Sequence, residues 1–385
     1  MSTPRRLRLG MVGGGQGAFI GAVHRIASRI DDQYELVAGA FSSDPARGAA
    51  SAEALRVAPD RSYADVHALA KAEAARPDGV DVVAVVTPNH LHHEAARALL
   101  DAGIAVICDK PLVTNISDAR DLLAVATAAK IPFVVTHTYT GYPMVREARA
   151  LVASGAIGAV RLVQVEYAQD WLNSAVEATG NKQADWRTDP ARSGPSGAVG
   201  DIGTHAHNLA EFVSGLRVEA VAADLQRFVP GRRLDDNANM LLRLEGGARG
   251  MLWCSQVAPG HQNGMRIRVY GETGGLSWHQ EHPNQLTLAA PGQPPRELFR
   301  GGPGMSADAA RATRVPPGHP EGYLEAFAQL YADAAELVRA WREGRAPDPA
   351  VALLPGLAAG VRGVAFIEAA LRSSAADAAW TRIEV

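Results

Sequence analysis

Between residues 7 and 137 the chain alternates short, uninterrupted apolar runs with alanine-rich segments, and this rhythm narrows the possible folds more than any other feature of the sequence. The runs are LRLGMV (7–12), ELVAGAF (35–41), DVVAVV (81–86), IAVICD (104–109) and PFVVTH (132–137). They are apolar at nearly every position rather than at every second one, as strands covered on both faces of a parallel sheet must be. Helical segments lie near 20–31, 46–57, 64–75, 91–102 and 117–130, the last with Asn115 or Ser117 as its N-cap and Pro132 just beyond its end. Strand and helix in alternation predict a doubly wound α/β layer, with ligands at the carboxyl ends of its strands.

After about residue 140 the rhythm changes. YPMVREARALVASG reads as a helix closed by Gly155. Longer alternating strands follow: AVRLVQVEYA (159–168), NANMLLRLE (237–245), ARGMLWCSQV (248–257) and MRIRVYG (265–271), with a hairpin turning on Gly246 and Gly247. They predict an antiparallel sheet with one face solvated or covered by a partner, and Met240, Leu242, Met251 and Trp253 are its apolar residues near the turn. Two late helices, 321–343 and 355–373, pack on this sheet or reach back to the first layer. A length of 385 residues suffices for two cores, and the expected domains are 1–138 and 139–385, facing a shared crevice.

Composition narrows the partner. A net charge of -3 with interspersed signs leaves no basic footprint, so no nucleic acid is expected. The longest apolar runs fall well short of the roughly 20 residues a membrane span needs, so no membrane contact is expected. The opening MSTPRRLRLGMVGG breaks into glycines without a signal-peptide core, which predicts a cytoplasmic protein. Cys108 and Cys254, far apart in apolar surroundings, read as core thiols. The expected partner is a small molecule.

The stretch GMVGGGQGAFIGAVHR (10–25) joins the first strand to the first helix, the context of a phosphate loop. Gly13 makes the tight turn, Gly15 lets the backbone approach a pyrophosphate, and Gln16, Phe19 and Ile20 line the helix start. The third glycine of G-x-G-x-x-G is displaced, since the sixth position from Gly13 is Ala18. Treating Gln16, Gly17 and Ala18 as an insertion gives Gly21 the close-packing role. After the second strand, where an acid usually holds the ribose 2′-hydroxyl, the chain has Phe41 followed by SSDPAR. Ser42, Ser43 and Arg47 suit a 2′-phosphate while Asp44 points the other way, so the cofactor expected is NAD(P), leaning to NADP(H).

TPNHLHHEAARALLDAGIAVICDKPL (87–112), followed by WRTDPARSGPSGAVGDIGTH (186–205), resembles the Gfo/Idh/MocA family of sugar and polyol oxidoreductases, and the likeness spans nearly the whole chain. It implies an N-terminal Rossmann domain, with a doubly wound parallel sheet that binds the dinucleotide. The C-terminal α+β domain, with a large, mostly antiparallel sheet, would bind substrate and form a homodimer or homotetramer. The family's E-K-P motif, whose lysine stands beside the nicotinamide, appears as Asp109-Lys110-Pro111, with aspartate in the first place. Its D-x-G-x-H motif appears as Asp201 to His205, which marks Asp201 and His205 as substrate and proton-transfer residues; the usual acid three residues on is Asn208. Thr87, Pro88, Asn89 and His92 fall where the family contacts the cofactor. Trp186 and Arg187 precede the loop that closes over a polyhydroxylated substrate, and TYTGYP, in the place of the family's R-F, offers Tyr139 and Tyr142 as substrate contacts.

The chemistry of the residues agrees. Oxidising a secondary alcohol requires a base for the hydroxyl proton, and a neutral histidine such as His205 suits that near neutral pH. Lys110 can hydrogen-bond the same oxygen, and Asp201, one helical turn before His205, can orient the imidazole or bind a neighbouring hydroxyl. His90, His92, His93, His205 and His207 invite a metal, which would want fixed one-face geometry and second-shell partners, but the resemblance places NHLHHEAAR beside the nicotinamide ribose with His92 in the family position, so none is expected. The expected reaction moves a hydride between nicotinamide and a ring carbon of a sugar, anhydrosugar or cyclitol. A redox-neutral NAD-dependent glycosidase and a non-catalytic cofactor sensor are the rivals.

Overall fold

The computed structural model describes residues 5–385. The apolar runs become β1 (Leu7–Gly13), β2 (Tyr34–Ala40), β3 (Val82–Val86), β4 (Ala105–Cys108) and β5 (Phe133–Val135). Between them lie α1 (Phe19–Ile30), α2 (Pro45–Ala54), α3 (Val66–Ala75), α4 (His92–Asp101) and α5 (Ile116–Ala129). Asp44 and Asp65 cap α2 and α3 by accepting from the amides of Arg47 (2.9 Å) and Ala68 (2.8 Å), which gives free N–H groups of each first turn a partner. All five strands are parallel in the order β2-β1-β3-β4-β5, and β3 is buried along its whole length. The order reverses between β1 and β3. Their carboxyl ends therefore border the crevice in which ligands of such sheets bind.

The second half runs through α6 (Pro143–Ala153), β6 (Val160–Ala168), α7 (Lys182–Arg187), α8 (Pro190–Ser193) and a π-helical turn at Val199–Gly203 that leads into α9 (Thr204–Ser214). Then come β7 (Val218–Gln226), β8 (Asn237–Leu244), β9 (Arg249–Ser255), β10 (Gly264–Gly271), β11 (Gly275–His279), β12 (Gln285–Ala289), β13 (Arg296–Phe299) and α10 (Ala307–Arg311). The chain ends with α11 (Tyr323–Glu343), α12 (Leu357–Ala375) and β14 (Thr381–Arg382). Nine strands form one sheet, β13-β12-β11-β10-β6-β9-β8-β7-β14, antiparallel throughout except for the β6–β9 pair.

Two compact units result. The first holds the chain up to Val113, Ser117–Thr138 and Tyr323–Gly360; the second holds Thr114–Ile116, Tyr139–Gly322 and Val361–Val385. Helix α11 thus belongs with the parallel sheet. Its Tyr331 hydroxyl lies 2.7 Å from His24 Nδ1, and its Tyr331 carbonyl accepts from the Tyr34 hydroxyl at 2.8 Å. In the second unit, α9 packs on β6, β9 and β10 and buries Ala206, Leu209, Ala210 and Val213, each such apolar side chain contributing roughly 1.5–3 kcal/mol when large and fully enclosed. No helix among the described residues is long and apolar enough to cross a membrane.

The β8–β9 hairpin does turn at Gly246 and Gly247, whose φ of 69° and 84° lie in the left-handed region that side chains disfavour. The expected outer face needs correction. Met240 and Leu242 point into the core at 3 % and 0 % exposure, whereas Met251 and the half-buried Trp253 do face outward, and Leu241, paired with Met251 at 51 % and 52 % exposure, joins them. A shift of one residue along a strand exchanges its faces, and apolar residues stand on both sides of β8 at this point.

Candidate functional site

In the first unit the glycine loop closes against the start of β3's following loop. Gly13 and Gly14 have φ of 80° and 70°, and a Cβ on Gly13 would stand 2.9 Å from the Val86 carbonyl and 3.0 Å from Thr87 Cγ2. A Cβ on Gly15 would meet the Phe41 carbonyl and Ser51 Oγ, both at 2.8 Å. Gly21 packs on Gly14 itself. The loop is held from outside: Arg25 donates to the Gly14 carbonyl, the Gln16 amide donates to Ser51 Oγ (3.1 Å), and Ser51 donates to the Arg47 carbonyl (2.7 Å). Phe19, the first residue of α1, is 61 % exposed, and Ile20 is half-buried beside it.

These residues fit a dinucleotide. The first-turn amides of α1 face no capping side chain, the loop admits no side chain at its tightest points, and the buried Thr87 Oγ1 just after β3 has no hydrogen-bond partner among the described residues. At the end of β2, Ser42 Oγ accepts from the Asp44 amide (3.1 Å), and Asp44 Oδ2 lies 3.8 Å from Arg47 Nη2, so Ser42, Asp44 and Arg47 form one polar corner, with Ser43 exposed within it.

His92 ties the neighbouring loops together. Its Nδ1 lies 2.9 Å from the Pro111 carbonyl and its Nε2 2.9 Å from the Thr87 carbonyl, so the Thr87-Pro88-Asn89 turn and the Asp109-Lys110-Pro111 turn are pinned to one buried ring. The Lys110–Pro111 bond is cis. Asp109 Oδ1 accepts from the Lys110 amide (2.9 Å) and from Thr136 Oγ1 (2.8 Å), which makes the acidic residue a brace for its own turn. His93 instead meets Asp121 at 2.8 Å, away from His92's partners.

In the second unit, His205 is buried in the first turn of α9, its ring 5.0 Å from that of Tyr139 at 87° and 6.2 Å from that of Tyr167. Tyr139 stacks on Tyr142 at 6.0 Å, and Gln280 donates to the Tyr142 hydroxyl (3.2 Å). Asp201 stands in the π-helical turn that precedes α9, a local widening that interrupts the ordinary helical ladder. Gln256 Nε2 donates to Asp201 Oδ2 (2.9 Å), and Arg187 Nε lies 3.3 Å from the same oxygen. The Arg187 guanidinium lies over the Trp186 ring at 4.2 Å, a cation–π arrangement that holds it in place.

The segment before Asp201 is clamped by Asp235. Its carboxylate accepts from Ser196 Oγ (2.7 Å) and from the amides of Gly197 (2.8 Å) and Val199 (2.9 Å), and its carbonyl accepts from Ala198 (2.8 Å). Burial pushes the Asp235 carboxyl above the ordinary carboxylate range in spite of these donors. His207 stacks on Phe366 at 4.3 Å and faces Glu211 at 3.3 Å. Burial alone would raise the Glu211 carboxyl; His207 and Arg362 beside it overcome that and hold it low.

The sequence-predicted residues thus gather in two clusters, one in each unit. Missing from the prediction are Tyr167, Gln169, Asn263 and Gln256, which surround the predicted ones. No local signal marks them. Antiparallel pairing of β6 with β10 sets Gly264 opposite Ala168, and parallel pairing with β9 sets Ser255 beside Ala168, so three strand ends deliver these side chains to one place. Cys108 and Cys254 are both fully buried, and burial raises both thiols.

Comparison with known proteins matches residues 7–148 to an oxidoreductase family with an NAD-binding Rossmann fold and residues 145–277 to the GFO/IDH/MocA C-terminal domain. The uncharacterized oxidoreductase YfiI of Bacillus subtilis is 33 % identical over 381 residues, 98 % of this chain and 97 % of its own. The crystal structure of an oxidoreductase from Sinorhizobium meliloti is 51 % identical with a TM-score of 0.89, covering 98 % of this chain and 99 % of its own. An inositol dehydrogenase homolog from Azotobacter vinelandii, complexed with NAD+, is 39 % identical with a TM-score of 0.94 and coverage of 98 % and 97 %; it has also been solved with NADH and myo-inositol.

Proposed function

Because the chain belongs to the GFO/IDH/MocA oxidoreductase family, we propose that it is an NAD-dependent dehydrogenase acting on a ring-carbon hydroxyl of a sugar or cyclitol. The observation that carries this reading is the buried His205, walled by the Tyr139 and Tyr167 phenols in one unit, in a chain whose other unit has a glycine loop too tight for side chains and a Thr87 hydroxyl with no partner among the described residues. The Azotobacter relative's complex with NADH and myo-inositol supports the substrate class.

In this mechanism Gly13, Gly15, Gln16 and the start of α1 hold the pyrophosphate, and Thr87, Pro88, Asn89 and the His92-braced turn hold the nicotinamide ribose. When bound, the nicotinamide supplies the two-electron acceptor for the hydrogen on the reacting carbon. Lys110 donates a hydrogen bond to the substrate oxygen and steadies negative charge as it develops. His205 removes the hydroxyl proton. Asp201, aimed by Gln256 and Arg187, accepts a hydrogen bond from a neighbouring hydroxyl, and Tyr142 and Trp186 shape the surrounding wall.

Bound NAD+ and NADH in the Azotobacter relative support NAD(H) here. NADP(H) is the second reading, favoured by Ser42, Ser43 and the Arg47 guanidinium, which suit a 2′-phosphate. Separate dissociation constants for NAD+ and NADP+ decide between them. The outer face of the nine-stranded sheet, with Leu162, Leu241, Met251 and Tyr270 at 40–52 % exposure, is the surface through which a homodimer or homotetramer would form.

The experiment that tests the proposal is a panel of sugars, anhydrosugars and inositols assayed with each cofactor by absorbance of the reduced nicotinamide. Accumulation with at least one of them is the expected result. Release of free sugar with no accumulation would replace the dehydrogenase with a redox-neutral glycosidase.

A further inference from the structure

The hydroxyls of Tyr139 and Tyr167, whose rings stand against that of His205, are joined to nearby amides by hydrogen bonds with one consistent direction. The indole Nε1–H of Trp171 only donates, and it lies 3.1 Å from Gln169 Oε1. Gln169 therefore turns its nitrogen the other way, and Nε2 donates to Asn263 Oδ1 at 2.9 Å. Asn263 in turn points its own nitrogen at the Tyr139 hydroxyl, 3.3 Å away. The Tyr167 hydroxyl, 2.6 Å from Asn263 Oδ1, spends its single proton there. The contact of 2.5 Å between the two phenol oxygens must then take its proton from Tyr139.

Tyr139, Tyr167 and Asn263 thus form a closed cycle in which every bond runs the same way round, and Trp171 sets the sense of rotation. Two consequences follow for Tyr139. Its proton is committed to Tyr167, and of its two lone pairs one accepts from Asn263 and the other from no described residue. Its ring stands edge-to-face against His205. A hydroxyl oxygen that can only accept, fixed beside the general base, discriminates by hydrogen-bond polarity as well as by shape.

We propose that Tyr139 is a specificity-determining residue that acts on the substrate as an obligate acceptor, so that the carbon next to the one oxidised must carry a hydroxyl able to donate. The substrate class is a vicinal diol. A neighbouring fluorine, methoxy group, carbonyl or hydrogen brings no proton and leaves the second lone pair of the Tyr139 oxygen without a donor, while its bonds to Tyr167 and Asn263 persist. Asn263, Gln169 and Trp171 are positioning residues for that polarity. The proposal rests on His205 being the acid/base.

The test uses the full-length enzyme with a cyclitol it oxidises and that cyclitol's deoxy and deoxyfluoro analogues at the neighbouring carbon. Wild-type protein is expected to favour the hydroxyl substrate by about 10²-fold or more in kcat/KM. Tyr139→Phe, which keeps the ring, should bring that preference within about tenfold by raising KM for the hydroxyl substrate, while the pH profile of kcat is retained. Trp171→Phe should narrow it in the same direction, because Gln169 and Asn263 are then free to turn over. If Tyr139→Phe lowers kcat/KM for all three substrates by one common factor, Tyr139 is structural and the proposal fails. If His205→Ala retains wild-type turnover, or no polyol is oxidised, the premise fails and takes the proposal with it. A normal His205 dependence with an unchanged hydroxyl preference in both variants overturns the proposal alone.

Discussion

Gly21, in the first turn of α1, lies so close to Gly14 that a Cβ on it would stand 2.4 Å from Gly14 Cα and 2.6 Å from its carbonyl oxygen. Helix and loop touch backbone to backbone, and the arrangement tolerates no methyl group. Gly21→Ala is expected to push the helix N-terminus off the loop and to weaken NAD+ binding by about tenfold or more, measured by titration. Gly17→Ala, at φ 78° but with open space around it, should cost only about 1 kcal/mol of stability from backbone strain. An unchanged NAD+ affinity in Gly21→Ala would remove the close-packing role.

His205→Ala is expected to lower kcat by about 10² or more with the cofactor dissociation constant nearly unchanged, because a base for the hydroxyl proton is lost while the dinucleotide loop is untouched. Steady-state kinetics and a cofactor titration on the same preparation check both halves.

Asp235 holds four donors of the segment that leads into Asp201. Asn in its place brings an NH2 group against backbone N–H groups that the carboxylate now satisfies. Asp235→Asn should lose about 1–3 kcal/mol in denaturant unfolding. It should also lower kcat more than it changes NAD+ affinity. A variant with wild-type stability and kcat would show that this clamp is not needed.

Burial pushes His24 from its ordinary value of 6.5 down to about 4, so the folded protein keeps the ring neutral where the unfolded chain takes up a proton. The sign follows: this contribution is complete above pH 6.5 and is lost as pH falls toward 4, to a total of about 3 kcal/mol. Unfolding free energies measured across that window should fall for the wild type and fall less steeply for His24→Gln. Parallel slopes would rule out His24 as the source.

Leu241 and Met251 face outward side by side on the nine-stranded sheet. Leu241→Asp should dissociate any assembly formed through that face and leave the monomer folded, since the side chain is half-exposed already. Light scattering of wild type and variant at matched concentration checks it.

What the sequence determined by itself is the parallel sheet of the first unit and the motifs, while the docking of α11 onto that unit was left to packing. A parallel strand covered on both faces has to be apolar at almost every residue, so five uninterrupted runs marked β1 to β5, and the glycines and the Asp109-Lys110-Pro111 turn follow directly at their ends. The Asp201 to His205 stretch was legible because its residues are close in the chain. The second sheet was less so. The alanine-rich β7 and the short β11 to β14 carry weak alternation, and β8 has apolar residues on both faces, so which face is inside waits on packing.

Tertiary structure alone decided what surrounds the motifs. Asn263 reaches Tyr167 across 96 residues of sequence and Tyr139 across 124, and Gln256 reaches Asp201 across 55. Those meetings depend on the register of β6 with β10 and β9. Register is fixed by burial of whole strand faces and by the turns, a property of the assembled sheet, and no single strand's sequence contains it.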